Sequence, residues 1–576
     1  MKRNLVIAAA LLAAPGLLAA QAPEAVAPGP TIVPQPETKL PLKHTPEPTK
    51  ASINVQDLMT RLYIYADDSM MGREAGTLGN VKATTYIANQ VKQIGLKPAG
   101  ENGTYFQTLP FKTRSVDPAS SFTAGGQALQ FGTDWAARSN ESASFSGSAV
   151  WGGFLGDSGA TLTPEQIKGN VVVIGLPTDG RRMRRMSNNF EDAAAVVLMA
   201  PERYLGFYSR PSSFVDDPDR PSRGPGRPSV VITADAAATL FGGPVESLAV
   251  GTVGKPTAMD LKISVAPVEF PARNVVAILP GRDPVLKNEY VAIGAHNDHI
   301  GMTDRPVDHD SLRIFNHIVR PGGADDARNQ ATEEQQAEVN AELANWRQKH
   351  PGAARLDSIS NGADDDGSGT VTVLEIAQYL ASLKGNAVPK RSILFVWHVG
   401  EEKGLLGSAW FTDHPTVPRD SIVAQLNMDM VGRGDAWDVA AVTKAGAPIH
   451  GGPNYLQLVG SRRLSTELGD LVEQVNKEDH HGFVFDYSMD ADGHPSNIYC
   501  RSDHYEYARY GIPITFFTTG LHSDYHQVTD EPQYIDYDRM AQVGSLVADI
   551  AMHVADLDHR IVVDHPKPDP HGRCQQ

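Results

Sequence analysis

The spacing of apolar residues sorts this chain into segments of two kinds. ARNVVAILP (272–280), NEYVAIGA (288–295), RSILFVW (391–397) and SIVAQLNM (421–428) are short β-branched runs with no polar alternation. That pattern predicts strands covered on both faces. INVQDLMTRLYIYA (53–66), VKATTYIANQVKQIGL (81–96), TVTVLEIAQYLASL (370–383) and MAQVGSLVADIAMHVADL (540–557) repeat apolar positions at helical spacing. In the third, Val373, Ile376, Ala377, Leu380 and Leu383 share a face, and the second ends at Gly95, a common helix terminator. Strands alternating with helices in this way imply an α/β fold, a mixed central sheet flanked by helices, whose sites form at the carboxyl ends of strands.

From about 140 to 258 the texture changes to short β-rich segments such as GSAVWGG, GNVVVIGLP and AAAVVLMAP. This stretch is expected to be a small inserted domain, with the main domain taking residues 51–139 and 259–558. A length of 576 residues agrees with more than one core. Met1 to Ala20 carries Lys2 and Arg3, an apolar run and then Ala19 and Ala20, the layout of a secretory signal, so the protein is expected to be exported to the periplasm or the medium. No membrane span is expected in the mature protein. Residues 21–50 are Pro-rich and read as a disordered linker, and 559–576 as a C-terminal tail.

The net charge of −17 argues against a nucleic-acid partner, and the one basic run, RRMRR at 181–185, reads as a solvated helix face. Two cysteines, Cys500 and Cys574, exclude a disulfide framework and leave a single bridge that could form between them.

Candidate chemistry gathers where the strands end. Glu401 and Glu402 follow RSILFVW, His296 ends GAH, Asp429 follows SIVAQLNM, a DDD run at 364–366 precedes a helix, and His526 lies in SDYHQVTDE. Adjacent carboxylates at a strand end diverge, so one can hold a metal while the other faces substrate or water. Imidazole with carboxylate and no Cys suits zinc and its neighbours. No G-x-S-x-G elbow and no H-E-x-x-H motif occurs.

MMGREAGT, GAHNDH, NGADDDGSG, WHVGEEKGLLGS, NMDMVG, SDHYEYARYGIP and DYHQVTDE stand in the order found in co-catalytic zinc exopeptidases. The chain resembles that family, which includes bacterial leucyl aminopeptidases, aminopeptidase Y and glutamate carboxypeptidases, from about residue 52 to 555. The β-rich insert resembles a protease-associated (PA) domain. The resemblance implies a zinc exopeptidase fold and two zinc ions per chain. Asp365 would bridge them, with His296 and Asp429 completing one site and Glu402 and His526 the other. It makes Glu401 the general base and has Asp298 orient His296, and it implies a cis peptide after Asp365. Four positive charges against three carboxylates leave one to be met by a hydroxide, so such a core can be buried.

The resemblance further implies peptide substrates cut from one end. Acids near the motifs (Asp298, Asp364, Asp366, Glu401, Asp503 and Asp524) favour a free ammonium terminus and so an aminopeptidase. Arg433 and Arg501 are the arginines that a carboxypeptidase would use. A glutaminyl-cyclase-like acyl transferase and a non-catalytic binding protein, as the transferrin receptor is to this family, are the other readings. The segment 303–360 is long for the family and contains a decoy, GGADDARNQ, whose Asp325 or Asp326 competes with Asp365. His522 competes with His526, their spacing placing both on one face if HSDYH is helical. His299, His398 and His504 are expected to be supporting or structural.

Overall fold

The computed structural model describes residues 40–576 except 140, 156–160, 177–189, 218–228, 321–322, 326–329 and 434–453. The signal-like segment, most of the Pro-rich linker, the RRMRR run and Asp326 lie outside the described residues.

The apolar runs build one nine-stranded sheet. Its strands are β1 (Lys97–Pro98), β2 (Phe106–Thr108), β3 (Arg273–Leu279), β4 (Tyr290–His296), β5 (Ser392–His398), β6 (Ile422–Met428), β7 (Tyr455–Val459), β8 (Val484–Asp486) and β9 (Ile514–Thr518). They lie in the order β1-β3-β5-β4-β6-β9-β7-β8, with β2 also paired to β3. The pairs β5–β4, β4–β6 and β6–β9 are parallel, while β3–β5 and β9–β7 are antiparallel, so the sheet is mixed. Strand alternation divides β5 between two cores. Ile393, Phe395 and Trp397 join one apolar cluster with residues of the helices α1 (Val55–Tyr65), α2 (Leu78–Ile94), α3 (Gly369–Ser382) and α4 (Tyr537–Asp556). Leu394 and Val396 join another with Leu405, Phe411, Tyr505 and Tyr507. Both faces are therefore covered, as the unalternating strands required.

A second, eight-stranded sheet has its own apolar core around Phe122, Trp135, Trp151, Val173 and Val197. The expected boundary at 140 is too late. Ser121–Ala124, Gln127–Leu129 and Trp135–Arg138 belong to this sheet and pair with Val253–Leu261, with each other and with Ser229–Ile232. These strands are short and partly polar, which is why no long apolar run announced them. A three-stranded sheet of Phe111–Val116, Ser212–Val215 and Ile263–Pro267 stands between the two. Phe111 shares a cluster with Val399, Leu406 and Trp410, next to the Glu401 turn.

The last part of the expected linker is docked. Tyr63 Oη donates to Pro41 O at 2.5 Å, His44 Nε2 meets Thr60 Oγ1 at 3.2 Å, and Gln378 Nε2 donates to Lys50 O at 2.6 Å. The C-terminal tail is docked too. Cys574 is bonded to Cys500, and Gly493 N–H donates to Gln576 O at 2.8 Å. Among the described residues, no helix is long and apolar enough to cross a membrane.

Candidate metal centre

Each side chain singled out at a strand end reaches one place. His296 is the last residue of β4, Asp429 follows β6, Glu401 and Glu402 lie on the turn after β5, and Asp365 precedes α3. His296 Nε2 is 3.2 Å from Asp365 Oδ1 and 3.5 Å from Asp429 Oδ1. His526 Nε2 is 3.1 Å from Asp365 Oδ2 and 2.9 Å from Glu402 Oε2. Asp365 thus offers one oxygen to each of two clusters. His296, Asp365 and Asp429 form a donor group with the spacing of a cation site, and so do His299, Asp365 and Glu402.

His299, expected to be supporting, faces the second cluster directly. Its Nδ1 lies 2.7 Å from Glu402 Oε1 and 3.7 Å from Asp365 Oδ2. His522 does not compete with His526. Its Nε2 turns to Asp364 Oδ2 at 3.3 Å, and the HSDYH segment is a turn, not a helix. His398 Nε2 meets Tyr507 Oη at 2.9 Å, away from the clusters. Asp365–Asp366 is a cis peptide.

A cation fits these clusters on their unspent polar atoms. His296 Nε2, Asp365 Oδ2, Asp429 Oδ1, Glu402 Oε1, His526 Nε2 and both ring nitrogens of His299 are buried without a hydrogen-bond partner. Native interiors rarely leave so many together, and nitrogen with carboxylate oxygen is the donor set zinc takes. Burial works to lower the His296 pKa, but Asp429 and Asp365 hold it well above its ordinary value. Burial likewise pushes the Glu401 carboxyl well up, with Asp429, Glu402 and Asp503 adding to the effect against His296. Divalent cations would reverse that balance.

The acids around the clusters do different work from that expected of them. Asp366 accepts from His296 N–H at 3.0 Å, Gly369 N–H at 2.9 Å and Met430 N–H at 3.3 Å, tying β4, the start of α3 and the Asp429 loop together. Asp364 Oδ1 accepts from Gly432 N–H at 2.6 Å. Asp298 Oδ1 accepts from Gly400 and Glu401 N–H at 2.7 and 3.2 Å. Its carboxylate is 3.9 Å from His296 Nδ1, which meets the Asp298 carbonyl at 3.1 Å instead. Asp298 thus holds the Glu401 turn through its carboxylate and meets His296 through its main-chain carbonyl. Hydrogen bonds to a charged acceptor contribute about 1.5–3 kcal/mol each, enough to fix loop ends. Asp530, not anticipated, accepts from Asp364 and Asp365 N–H at 3.0 and 3.1 Å. At Gly362, φ is +53° and an added Cβ would sit 2.3 Å from Asp365 O, so only glycine fits this approach. In MMGREAGT the buried Arg73 donates to Asn361 O at 2.5 Å and Gly362 O at 2.8 Å.

A cleft opens on Asp365, Glu401 and Asp429. Met430, Met489, Ile498, Phe516 and Leu521 supply its apolar walls, and Arg501 and Gln457 its main polar ones. Arg433 is not in this cleft; it is buried against Asp524 at 3.2 Å.

Fold and site define a protein with two buried His/Asp/Glu donor clusters, fit to hold cations, at the carboxyl edge of an α/β sheet. Residues 274–551 match the model of Peptidase family M28. It is 33% identical over 208 residues to Leucine aminopeptidase 1 of Coccidioides posadasii (strain C735), covering 34% of this chain and 47% of that protein. It is 31% identical over 207 residues to Leucine aminopeptidase 1 of Paracoccidioides brasiliensis (strain Pb03). The chain thus spans about half the length of these curated relatives. Among solved structures it is similar to an aminopeptidase from Aneurinibacillus sp. strain AM-1, with a TM-score of 0.49 and 17% identity over 89% of this chain and 98% of that one.

Proposed function

We propose that this chain is an exported two-zinc aminopeptidase that removes N-terminal residues from peptides. The observation that carries the reading is the sharing of Asp365 between two buried donor clusters at one end of the cleft. His296 and Asp429 would hold one ion with Asp365, and Glu402 and His526 the other, with His299 beside it. When bound, such a pair supplies Lewis acidity and a water whose pKa falls to about 7. Relatives named leucine aminopeptidase support the same direction of cleavage.

The chain's own residues divide the remaining work. The apolar walls from Met430 to Leu521 take the side chain of the first residue and exclude water from it. The negative charge of Glu401 and Asp429 at the cleft end favours a free ammonium over a free carboxylate. Glu401, with its N–H held by Asp298, takes a proton from water as oxygen adds to the scissile carbonyl carbon. As the C–N bond breaks, it returns that proton to the departing nitrogen. Asp364, Asp366, Asp503 and Asp524 are fully buried, and the acids that line the cleft are Asp365, Glu401 and Asp429.

Arg501 in the cleft favours a second reading, a carboxypeptidase that grips a terminal carboxylate. One peptide in three forms decides: free, N-acetylated and C-amidated. The aminopeptidase loses only the acetylated form, and the carboxypeptidase only the amidated one. Export has two supports, the signal-like leader and the Cys500–Cys574 disulfide, a bond of oxidising compartments. Fractionation of the producing cells tests it, and protein confined to the cytosol contradicts it. The eight-stranded sheet, PA-like by resemblance, we take as a limit on substrate size, which its deletion would relax.

A further inference from the structure

The segment between Gly301 and Ser360 is a layer built on the His526 loop. Met302–Asp308 pairs with Leu356–Ile359, and the helix His309–Val319, capped by Asp308, runs across the loop. From that helix Arg313 Nη1 reaches Asp524 Oδ2, and its guanidinium lies 3.6 Å from the ring centre of Tyr534. Asp524 is fully buried. It is the hub of the loop, accepting from Thr529 Oγ1 at 2.7 Å and, through its carbonyl, from Gln527 N–H at 3.0 Å, while Arg433 Nη2 at 3.2 Å and His317 Nε2 at 3.7 Å share Oδ2 with Arg313. His526 lies between these contacts with φ of +57°, a left-handed conformation that a histidine keeps only when its surroundings impose it.

Further contacts from the same layer meet the loop. Ala324 N–H donates to Tyr525 O at 3.2 Å, and Gly323, with φ of +60°, lies so close that an added Cβ would be 2.7 Å from His522 O. His309 Nε2 and Arg355 Nη2 hold Glu531 Oε2 at 3.0 and 3.1 Å. The loop is thus gripped on both sides of His526 by a segment whose described residues supply no donor to either of the two Asp365 clusters.

We propose that Arg313 is a positioning residue, which by gripping Asp524 seats His526 over the Asp365–Glu402 pair, so that the 302–359 layer completes the second cation site. The inference rests on the two-ion reading above. It predicts an asymmetry, because Arg313 acts on the His526 loop and on no residue of the His296–Asp429 cluster. Contacts that orient a metal ligand from behind commonly alter metal affinity about 10–100-fold.

The test is a zinc titration of metal-free protein against a chelating indicator, with far-UV circular dichroism to verify the fold. Wild type is expected to show two binding steps. In Arg313→Ala one step should fall about 10–100-fold while the other is unchanged, and Arg313→Lys should recover part of the loss. Arg347→Ala, which breaks the exposed Arg347–Asp308 pair of the same layer, should bind as wild type does. Two native steps in folded Arg313→Ala overturn the proposal. If the alanine variant does not fold, native affinity in Arg313→Lys overturns it. Equal weakening of both steps overturns it as well, since that is the mark of general destabilisation. A single step in wild type removes the two-ion reading itself, and the inference with it.

Discussion

Acid should destabilise the peptidase sheet, and His504 should account for a measurable share. Its ring is fully buried and stacks on Phe516 of β9, with centroids 4.6 Å apart and planes 19° from parallel. Burial lowers its pKa from 6.5 to about 3, against smaller opposing effects from a Tyr499 main-chain contact and the Asp503 charge. The folded pKa lies below the unfolded one, so the folded state refuses a proton that the unfolded chain accepts. The contribution is fully present above about pH 6.5 and is lost as pH falls from there towards 3. A full shift of that size corresponds to about 5 kcal/mol, and the part lost between pH 7 and pH 5 to about 2 kcal/mol. In His504→Gln, which does not titrate, that part of the pH dependence should vanish. Amide hydrogen exchange in β9, corrected for intrinsic rates, reads opening free energies at both pH values in each protein. Titration of the metal-site residues is common to both and cancels in the difference. Equal pH dependence in the two, to within about 0.5 kcal/mol, would refute the reasoning.

Glu401→Gln should keep its zinc and lose kcat about a hundredfold or more, as for a lost general base, whereas Glu402→Gln should lose metal affinity first. Metal analysis beside kinetics separates them, and matching behaviour in both variants would reverse the assignment. The Cys500–Cys574 bond closes a separation of 74 residues, for which the chain-entropy relation gives about 4 kcal/mol. Cys500→Ser should lower the unfolding midpoint under non-reducing conditions. Because Ile498 and Arg501 flank the bond and line the cleft, it should also raise KM more than it lowers kcat. Unchanged stability and KM would count against the tail as a support of the cleft.

What could be seen in the chain beforehand follows from where each signal resides. The buried strands announced themselves because β4, β5 and β6 are apolar on both faces, and the sites followed because His296, Glu401 and Asp429 sit where such strands stop. Asp365 was separated from the decoy by the apolar helix that follows it. The anchors were not visible. Asp530 serves amides 165 and 166 positions away, and Asp366 serves His296, 70 positions away, pairings that no local pattern records. His299 carries no signal of its own in GAHNDH that sets it apart from a supporting histidine, and only the path of the chain after β4 brings its ring to Glu402. The boundary at 140 erred because strands of three or four residues, as at Gln127–Leu129, carry too few apolar positions to register. Proline content suggested a free linker up to residue 50, yet the hydroxyls of Tyr63 and Thr60 hold its final stretch.

The central claim is that Asp365 is shared by two cation sites, and zinc stoichiometry in Asp365→Asn beside wild type tests it most directly. Metal-free samples of both would be reloaded, freed of excess zinc and analysed for metal per chain. The account predicts about two ions in wild type, and weakening of both sites together in the variant, since each loses a negatively charged donor. One ion in wild type, or a variant that loses one ion and holds the other at native affinity, would contradict it.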